Sequence, residues 1–132
     1  MGSLIYTVHS RPDVAAVISM LSRYNDKAQT NHFVAAIRVL KFLYHTRNKS
    51  LLFKPELSPG NELVLYSDSS WNSCPDTSRS RSGYLALFNQ CPISWKSKIQ
   101  KLVTLSSCEA EYVALCDAAK EAMWLKAILE ES

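Results

Sequence analysis

Apolar residues recur every three to four positions through the first third of the chain, which is the spacing of one face of an α-helix. Pro12 suits the first position of a helix, and the pattern that follows it predicts a helix over residues 12–24. A second amphipathic helix is predicted from a cap at Thr30 to about Tyr44. Residues 50–54 fit a short strand.

The pattern changes after residues 55–61, where two prolines, a glycine and an asparagine predict a linker. Beyond it, runs of alternating and continuous apolar residues predict strands over 62–71, 83–89 and 92–98. Asn89-Gln90 fits a tight turn between the second and third strands. We therefore expect this half of the chain to begin with three strands that have no helix between them.

The last segment, Ser106 to Glu131, is rich in the strongest helix formers. Ser106 and Glu109 have the spacing of a capping box, so they mark the helix start. We expect Trp124 to pack against the sheet. The order of elements predicts a mixed α/β fold of the α+β kind, with a three-stranded antiparallel meander, one covering helix and a preceding two-helix segment.

The formal charge of +3 is unevenly distributed along the 132 residues. Residues 1–60 carry eight Lys or Arg against three Asp or Glu, whereas residues 61–132 carry seven against nine. A basic first half suits a phosphate backbone, although a solvated surface explains the same charge equally well.

Asp68 stands at the centre of an apolar strand pattern, where a carboxylate is typical of a residue that meets a metal ion, a base or a partner charge. Glu111 lies in the first turns of the final helix. Carboxylate oxygens suit Mg²⁺, and a pair of such ions can activate water in phosphodiester cleavage. The alternative is that Asp68 is an edge residue and Glu111 a surface residue favoured by the helix dipole.

Other reactive groups lack the arrangement that catalysis needs. No G-x-S-x-G turn surrounds a serine, and the three histidines fall in the first half without a Ser or Cys partner. Three widely spaced glycines cannot form a phosphate-binding loop. The four cysteines show no zinc-site spacing, and we interpret them as reduced, mostly buried thiols. No apolar run is long enough to predict a membrane span.

Four segments of the second half form an ordered set of motifs, at 66–71 (YSDSSW), 79–84 (RSRSGY), 92–101 (PISWKSKIQK) and 105–115 (LSSCEAEYVAL). Together they closely resemble the ribonuclease H region of Ty1/copia-type retrotransposon Pol polyproteins. The first half is similar to the end of the reverse transcriptase portion of the same polyproteins, at 2–6 (GSLIY), 11–13 (RPD), 21–24 (LSRY) and 32–43.

The resemblance implies an RNase H-like fold and hydrolysis of the RNA strand of an RNA–DNA hybrid, with Mg²⁺ held by four acids. By motif, Asp68 matches the first-strand aspartate and Glu111 the helix glutamate of the pattern A-E-x-x-A-L. Both are thereby implied as catalytic residues and metal ligands. The residues implied to lie near the phosphates of the hybrid are Trp95, Lys96, Lys98 and Lys101.

The chain departs from the family pattern in two ways. Ser70 stands where the family usually has a second aspartate. The family's third aspartate belongs to a strand after the helix, so two of the four acids have no match here. We therefore expect a reverse transcriptase C-terminal helical segment at 1–54, a linker at 55–61, and a partial, truncated RNase H-like domain at 62–132 that is inactive as an isolated chain.

A second interpretation is a non-catalytic nucleic-acid-binding or assembly module derived from the element. Its functional surface would be the basic first half and the run from Lys96 to Lys101. Under either interpretation the expected partners are an RNA–DNA hybrid or other nucleic acid and the rest of the Pol polyprotein, with no membrane. The expected location is intracellular, in a cytoplasmic retrotransposon particle or in the nucleus.

Overall fold

The structure is a computed structural model that describes residues 1–53 and 62–131, and the chain divides into two compact units, Met1–Leu52 and Phe53–Ser132. The predicted linker at 55–61 lies outside the described residues, as do Lys54 and Ser132. No helix in the described ranges is both long enough and apolar enough to cross a membrane.

The first unit is helical. It contains α1 (Gly2–Thr7), a 3₁₀ turn (Pro12–Val14), α2 (Ala15–Leu21), a second 3₁₀ turn (Ser22–Tyr24) and α3 (Thr30–His45). The predicted helix over 12–24 is confirmed as three consecutive helical segments. The buried core is formed by Leu4, Val14, Ile18, Leu21 and Val39. Helix α1 was not predicted, because its sequence includes Gly2 and other weak helix formers, and burial of Leu4 stabilises it instead.

Two sequence predictions in this unit are wrong. The N-cap of α3 is Gln29, not Thr30: the Gln29 side chain accepts from the His32 backbone N–H, and the Gln29 backbone N–H donates to His32 Nδ1 at 3.0 Å. This reciprocal pair forms a capping box with unusual residue types. Residues 50–53 form no strand.

The second unit contains β1 (Leu63–Ser70), β2 (Arg81–Phe88), β3 (Cys91–Ile99) and α4 (Ser107–Glu131). The strands pair antiparallel in the order β1-β2-β3, which confirms the predicted meander. The two-residue turn at Asn89-Gln90 is also confirmed, with φ of 48° and 65°. These positive φ values identify a mirror-image turn that matches the twist of the strands.

Helix α4 begins as its capping residues predict. The Glu109 backbone N–H donates to Ser106 Oγ at 3.1 Å, and the Leu105 backbone N–H donates to Glu109 Oε2 at 2.6 Å. The helix packs on β1 and β2 through small residues, and its buried positions are Ala110, Ala114, Ala118 and Leu125. The expected packing of Trp124 is wrong, because this side chain is 58% exposed.

Candidate metal site

Helix α4 covers one face of the sheet. On β3, Ser94 Oγ donates a hydrogen bond to Glu121 Oε1 at 2.7 Å, and Lys98 Nζ forms a salt bridge with Asp117 Oδ2 at 2.9 Å. Alternate residues along a strand share a face. The covered face is therefore the one that carries Ser94 and Lys98.

Asp68 lies on the other face of the sheet. Residues directly opposite each other in an antiparallel ladder share a face. Ser69 pairs with Ser82, and Ser82 pairs with Lys98, so Ser69 faces α4. Asp68 is the neighbour of Ser69 and pairs with Gly83. Its side chain therefore leaves β1 on the face away from the helix, where it is exposed to solvent.

Glu111 lies on the flank of α4 that faces β1. At 100° per residue, Glu111 is about 120° around the helix from Asp117, which contacts β3. Ala122 is only about 20° around the helix from Glu111, and Ala122 lines a groove together with Leu63 of β1. The exposed Glu111 side chain thus belongs to the β1 side of the helix.

These positions put the two acids on either side of one sheet edge. In the described part of the chain, β1 is an outermost strand whose ladder partner is β2 alone. Asp68 leaves β1 toward the open face, and Glu111 lies on the flank of α4 opposite the one that contacts β3. One acid thus lies on the open face of the sheet and the other on the β1 flank of the helix that covers the opposite face. Across residues 1–53 and 62–131, no three or more His, Cys, Asp or Glu side chains are grouped so that they could hold a metal ion.

The two carboxylates nevertheless fit a Mg²⁺ site whose other ligands come from water and substrate. Proteins usually bind this ion through one or two carboxylates, with waters and substrate phosphates as the remaining ligands. Asp68 and Glu111 are both exposed, so water and phosphate oxygens can approach them. The residues present fit a site that its substrate completes, and they do not fit an all-protein metal cage.

A buried polar cluster lies beneath the first turns of α4, adjacent in sequence to both acids. Gln100 is 1% exposed, and its Nε2 donates to Ser82 Oγ and to the backbone oxygen of Ala110, each at 2.8 Å. Among the described residues, Gln100 Oε1 and Ser69 Oγ are buried without a hydrogen-bond partner. Each such atom costs about 1–3 kcal/mol. The sequence analysis missed Gln100, because a polar residue beside Lys101 gives no sign of burial.

A second set of hydrogen bonds holds the segment that leads into α4. The hydroxyls of Ser80 and Thr104 share a hydrogen bond of 2.8 Å, and Trp71 Nε1 donates to the Thr104 backbone oxygen at 3.1 Å. The Gln100 backbone N–H donates to the Ser80 backbone oxygen at 2.8 Å. These bonds hold the segment between β3 and α4 against Trp71, which follows β1, and Ser80, which precedes β2.

Tyr84 is a further polar residue on the helix-covered face. Burial raises the pKa of its phenol, and a hydrogen bond with Ser94 opposes that effect. The negative charge of Glu121 raises the pKa further. Tyr84 is therefore a neutral packing residue between β2 and α4 and is not part of the edge at which the two acids lie.

The predicted nucleic-acid-binding residues do not share one face. Trp95 pairs with Leu85 on the open face of the sheet, whereas Lys96 and Lys98 point to the face that α4 covers. Lys98 is already paired with an aspartate of the helix. Lys101 is exposed beyond the end of β3.

Curated proteins that resemble the chain include both short proteins and long polyproteins. The secreted RxLR effector protein 161 of Plasmopara viticola is 40% identical over 126 residues, which cover 95% of this chain and 87% of that protein. The retrovirus-related Pol polyprotein from transposon TNT 1-94 of Nicotiana tabacum is 37% identical over 134 residues, which cover 99% of this chain and 10% of the polyprotein.

The retrovirus-related Pol polyprotein from transposon RE1 of Arabidopsis thaliana is 36% identical over 133 residues, which cover 99% of this chain and 9% of the polyprotein. The chain thus spans about a tenth of the length of these two polyproteins. No family model and no solved structure matches the chain.

Proposed function

The chain is 36–37% identical over nearly its whole length to segments of retrotransposon Pol polyproteins, and on that premise we propose that it is a segment of such a polyprotein that carries part of an RNase H-type site. In this proposal Asp68 and Glu111 hold Mg²⁺ together with phosphates of an RNA–DNA hybrid. The observation that supports it is that two exposed carboxylates come from separate elements on the same side of the unit, one from the edge strand β1 and one from the β1 flank of α4.

The chemistry follows from the properties of carboxylates and of Mg²⁺. When bound, Mg²⁺ would supply positive charge that stabilises the negative charge developing on the phosphate and would lower the pKa of a coordinated water. Asp68 and Glu111 would supply oxygen ligands and fix the ion beside the sheet edge. Because both side chains are exposed, a substrate as large as a duplex can approach them.

Two carboxylates can hold one Mg²⁺ with water and phosphate oxygens, but they leave a pair of ions with only one carboxylate each. We therefore expect the isolated chain to bind a hybrid in the presence of Mg²⁺ and not to cleave it. Hydrolysis of RNA by a longer polyprotein that contains this segment is part of the same proposal.

The test is fluorescence anisotropy with a labelled RNA–DNA hybrid, titrated with the chain in Mg²⁺ and again in EDTA. Wild-type protein should bind more tightly in Mg²⁺. Asp68→Asn and Glu111→Gln should each abolish the gain in affinity that Mg²⁺ provides. The affinity in Mg²⁺ should fall by at least about tenfold, as it typically does when a metal site is disturbed. Glu131→Gln is the matched control, because it removes an exposed carboxylate from the far end of α4.

Two results would contradict this proposal. Affinity for the hybrid could be the same in Mg²⁺ and in EDTA, which would show that no bridging ion takes part. Alternatively, Glu131→Gln could weaken binding as much as Asp68→Asn does, which would show that only overall charge matters.

A second candidate function, binding of nucleic acid without catalysis, is supported by the first unit. A concave surface there is lined by Thr7, Ser10, Arg11, Leu43, Arg47, Lys49, Ser50 and Leu51. Arg11 forms a salt bridge of 2.7 Å with Asp13, so the net positive charge comes from Arg47 and Lys49. The Arg47 guanidinium is held 4.6 Å from the centroid of the Tyr44 ring, which limits its motion.

This candidate predicts binding that is independent of Mg²⁺ and sensitive to salt. The double substitution Arg47→Gln with Lys49→Gln should reduce the slope of log affinity against log salt by up to about 2, one for each phosphate that is no longer neutralised. Arg38→Gln with Lys41→Gln removes the same charge from exposed positions on α3 and serves as the control. Equal losses in the two double variants would exclude a specific surface.

A further inference from the structure

Gln100 connects three parts of the second unit through one side chain. Its amide hydrogens point to Ser82 Oγ on β2 and to the backbone oxygen of Ala110 in the first turns of α4, and both bonds are 2.8 Å long. Gln100 itself follows the end of β3. The side chain is almost fully buried, so no water competes for these donors from the bulk.

The residues at the two ends of this bridge are the immediate neighbours of the candidate ligands. Ala110 precedes Glu111 in α4. Ser82 pairs with Ser69 on β1, and Ser69 follows Asp68. The Gln100 amide therefore fixes the backbone of one acid relative to the strand pair that carries the other.

Both bonds at once need a side chain with at least two donor hydrogens, which Gln100 supplies without a charge. Glutamate has no N–H to donate, and leucine or methionine fills similar space with no donor at all. The capping residues Ser106 and Glu109 cannot replace this link, because their hydrogen bonds stay within residues 105–109. They fix where α4 begins, whereas Gln100 fixes where it lies on the sheet.

We propose that Gln100 is a positioning residue of the metal site, which sets the placement of Glu111 relative to Asp68. This proposal rests on the proposed function of the two acids as ligands of one ion. Gln100 does not contact the ion in this account. It acts through the backbone of Ala110 and through the hydroxyl of Ser82.

The test compares Mn²⁺ affinity of the full chain, measured by electron paramagnetic resonance in the presence of an uncleaved RNA–DNA hybrid. Gln100→Met should weaken Mn²⁺ binding by about tenfold, the lower end of what the loss of a hydrogen bond that orients a metal ligand costs. The control is Thr104→Val, which removes the hydroxyl of a residue that is 4% exposed, and this hydroxyl is bonded to Ser80. Its Mn²⁺ affinity should stay within about twofold of wild type, although both variants lose a buried hydrogen bond.

If both variants weaken Mn²⁺ binding equally, or neither does, Gln100 is not a positioning residue. If wild-type binding of Mn²⁺ is itself insensitive to Asp68→Asn, the proposed function fails instead. In that case hydrogen exchange still tests whether Gln100 holds the start of α4 on the sheet. Gln100→Met should then accelerate exchange of the backbone amides of residues 110–113 and Thr104→Val should not, and any other pattern overturns the proposal.

Discussion

The close packing of α4 on the sheet can be tested by placing a larger side chain between them. Ala114 and Ala118 are at most 1% exposed on the helix, and Ala86 is fully buried on the covered face of β2. The small side chain of alanine allows the helix backbone to lie close to the sheet at these positions. The substitution Ala118→Leu adds three carbon atoms at a fully buried position between helix and sheet, so we expect the helix to move or neighbouring side chains to leave their rotamers.

The expected cost follows from that geometry. Overpacking a filled core position typically costs about 1–3 kcal/mol. For a unit of about 80 residues, 1 kcal/mol corresponds to a shift in Tm of about 4–8 °C. A cost of about 2 kcal/mol therefore predicts a decrease in Tm of about 8–16 °C for Ala118→Leu.

The assay is urea and thermal unfolding followed by tryptophan fluorescence, because all three tryptophans belong to the second unit. Ala119→Leu is the matched control. It is the next residue, it is exposed, and leucine is nearly as good a helix former as alanine, so its stability should change by less than about 0.5 kcal/mol. Equal Tm values for the two variants would refute the packing described for α4.

Three further predictions concern the turn, an ion pair and pH. Gln90 has a φ of 65°, so Gln90→Gly should raise the free energy of unfolding by about 0.5–1 kcal/mol in a urea titration, and a loss of stability would contradict the turn. Lys98 and Asp117 are both partly exposed, so Asp117→Asn should cost less than about 1 kcal/mol, and the cost should shrink further in 1 M NaCl. The hydrogen bond from Arg11 lowers the pKa of Asp13, so this pair stabilises the first unit above the ordinary carboxyl pKa of about 4 and stops doing so as pH falls through the lowered value. The Tm of Asp13→Asn, measured from pH 6 to pH 2, should therefore fall less steeply than that of the wild type, and parallel curves would contradict the role of the pair.

Periodicity was sufficient to predict the elements of the second unit. Alternation of apolar residues, the Asn89-Gln90 turn and the Ser106–Glu109 capping box placed three strands and one helix within a few residues of their observed bounds. These signals are local, so they are visible in the sequence. The buried face of α4 was not predictable in the same way, because alanine is only weakly hydrophobic and three of its four buried residues are alanines. The larger and more hydrophobic Trp124 suggests the wrong face, since it is exposed.

The sequence indicated which two acids form the candidate site but not how they are arranged in space. Residues 63–66 are all apolar or aromatic, so alternation alone does not tell which face of β1 Asp68 occupies. The answer depends on pairing with β2 and β3 and on the packing of β3 against α4, which are long-range facts. The same holds for Gln100, whose burial arises from three elements that meet only in the folded chain.

The central claim is that Asp68 and Glu111 hold the same metal ion at the outer edge of β1. It is tested most directly by paramagnetic broadening of backbone amide signals of ¹⁵N-labelled protein, titrated with Mn²⁺ in the presence of an uncleaved RNA–DNA hybrid. We predict that amides of residues 67–69 and 110–112 broaden together, at the same Mn²⁺ concentration, and that Asp68→Asn restores both groups of signals. If Asp68→Asn restores the strand signals while those around Glu111 stay broadened, the two acids do not share an ion and the account is wrong.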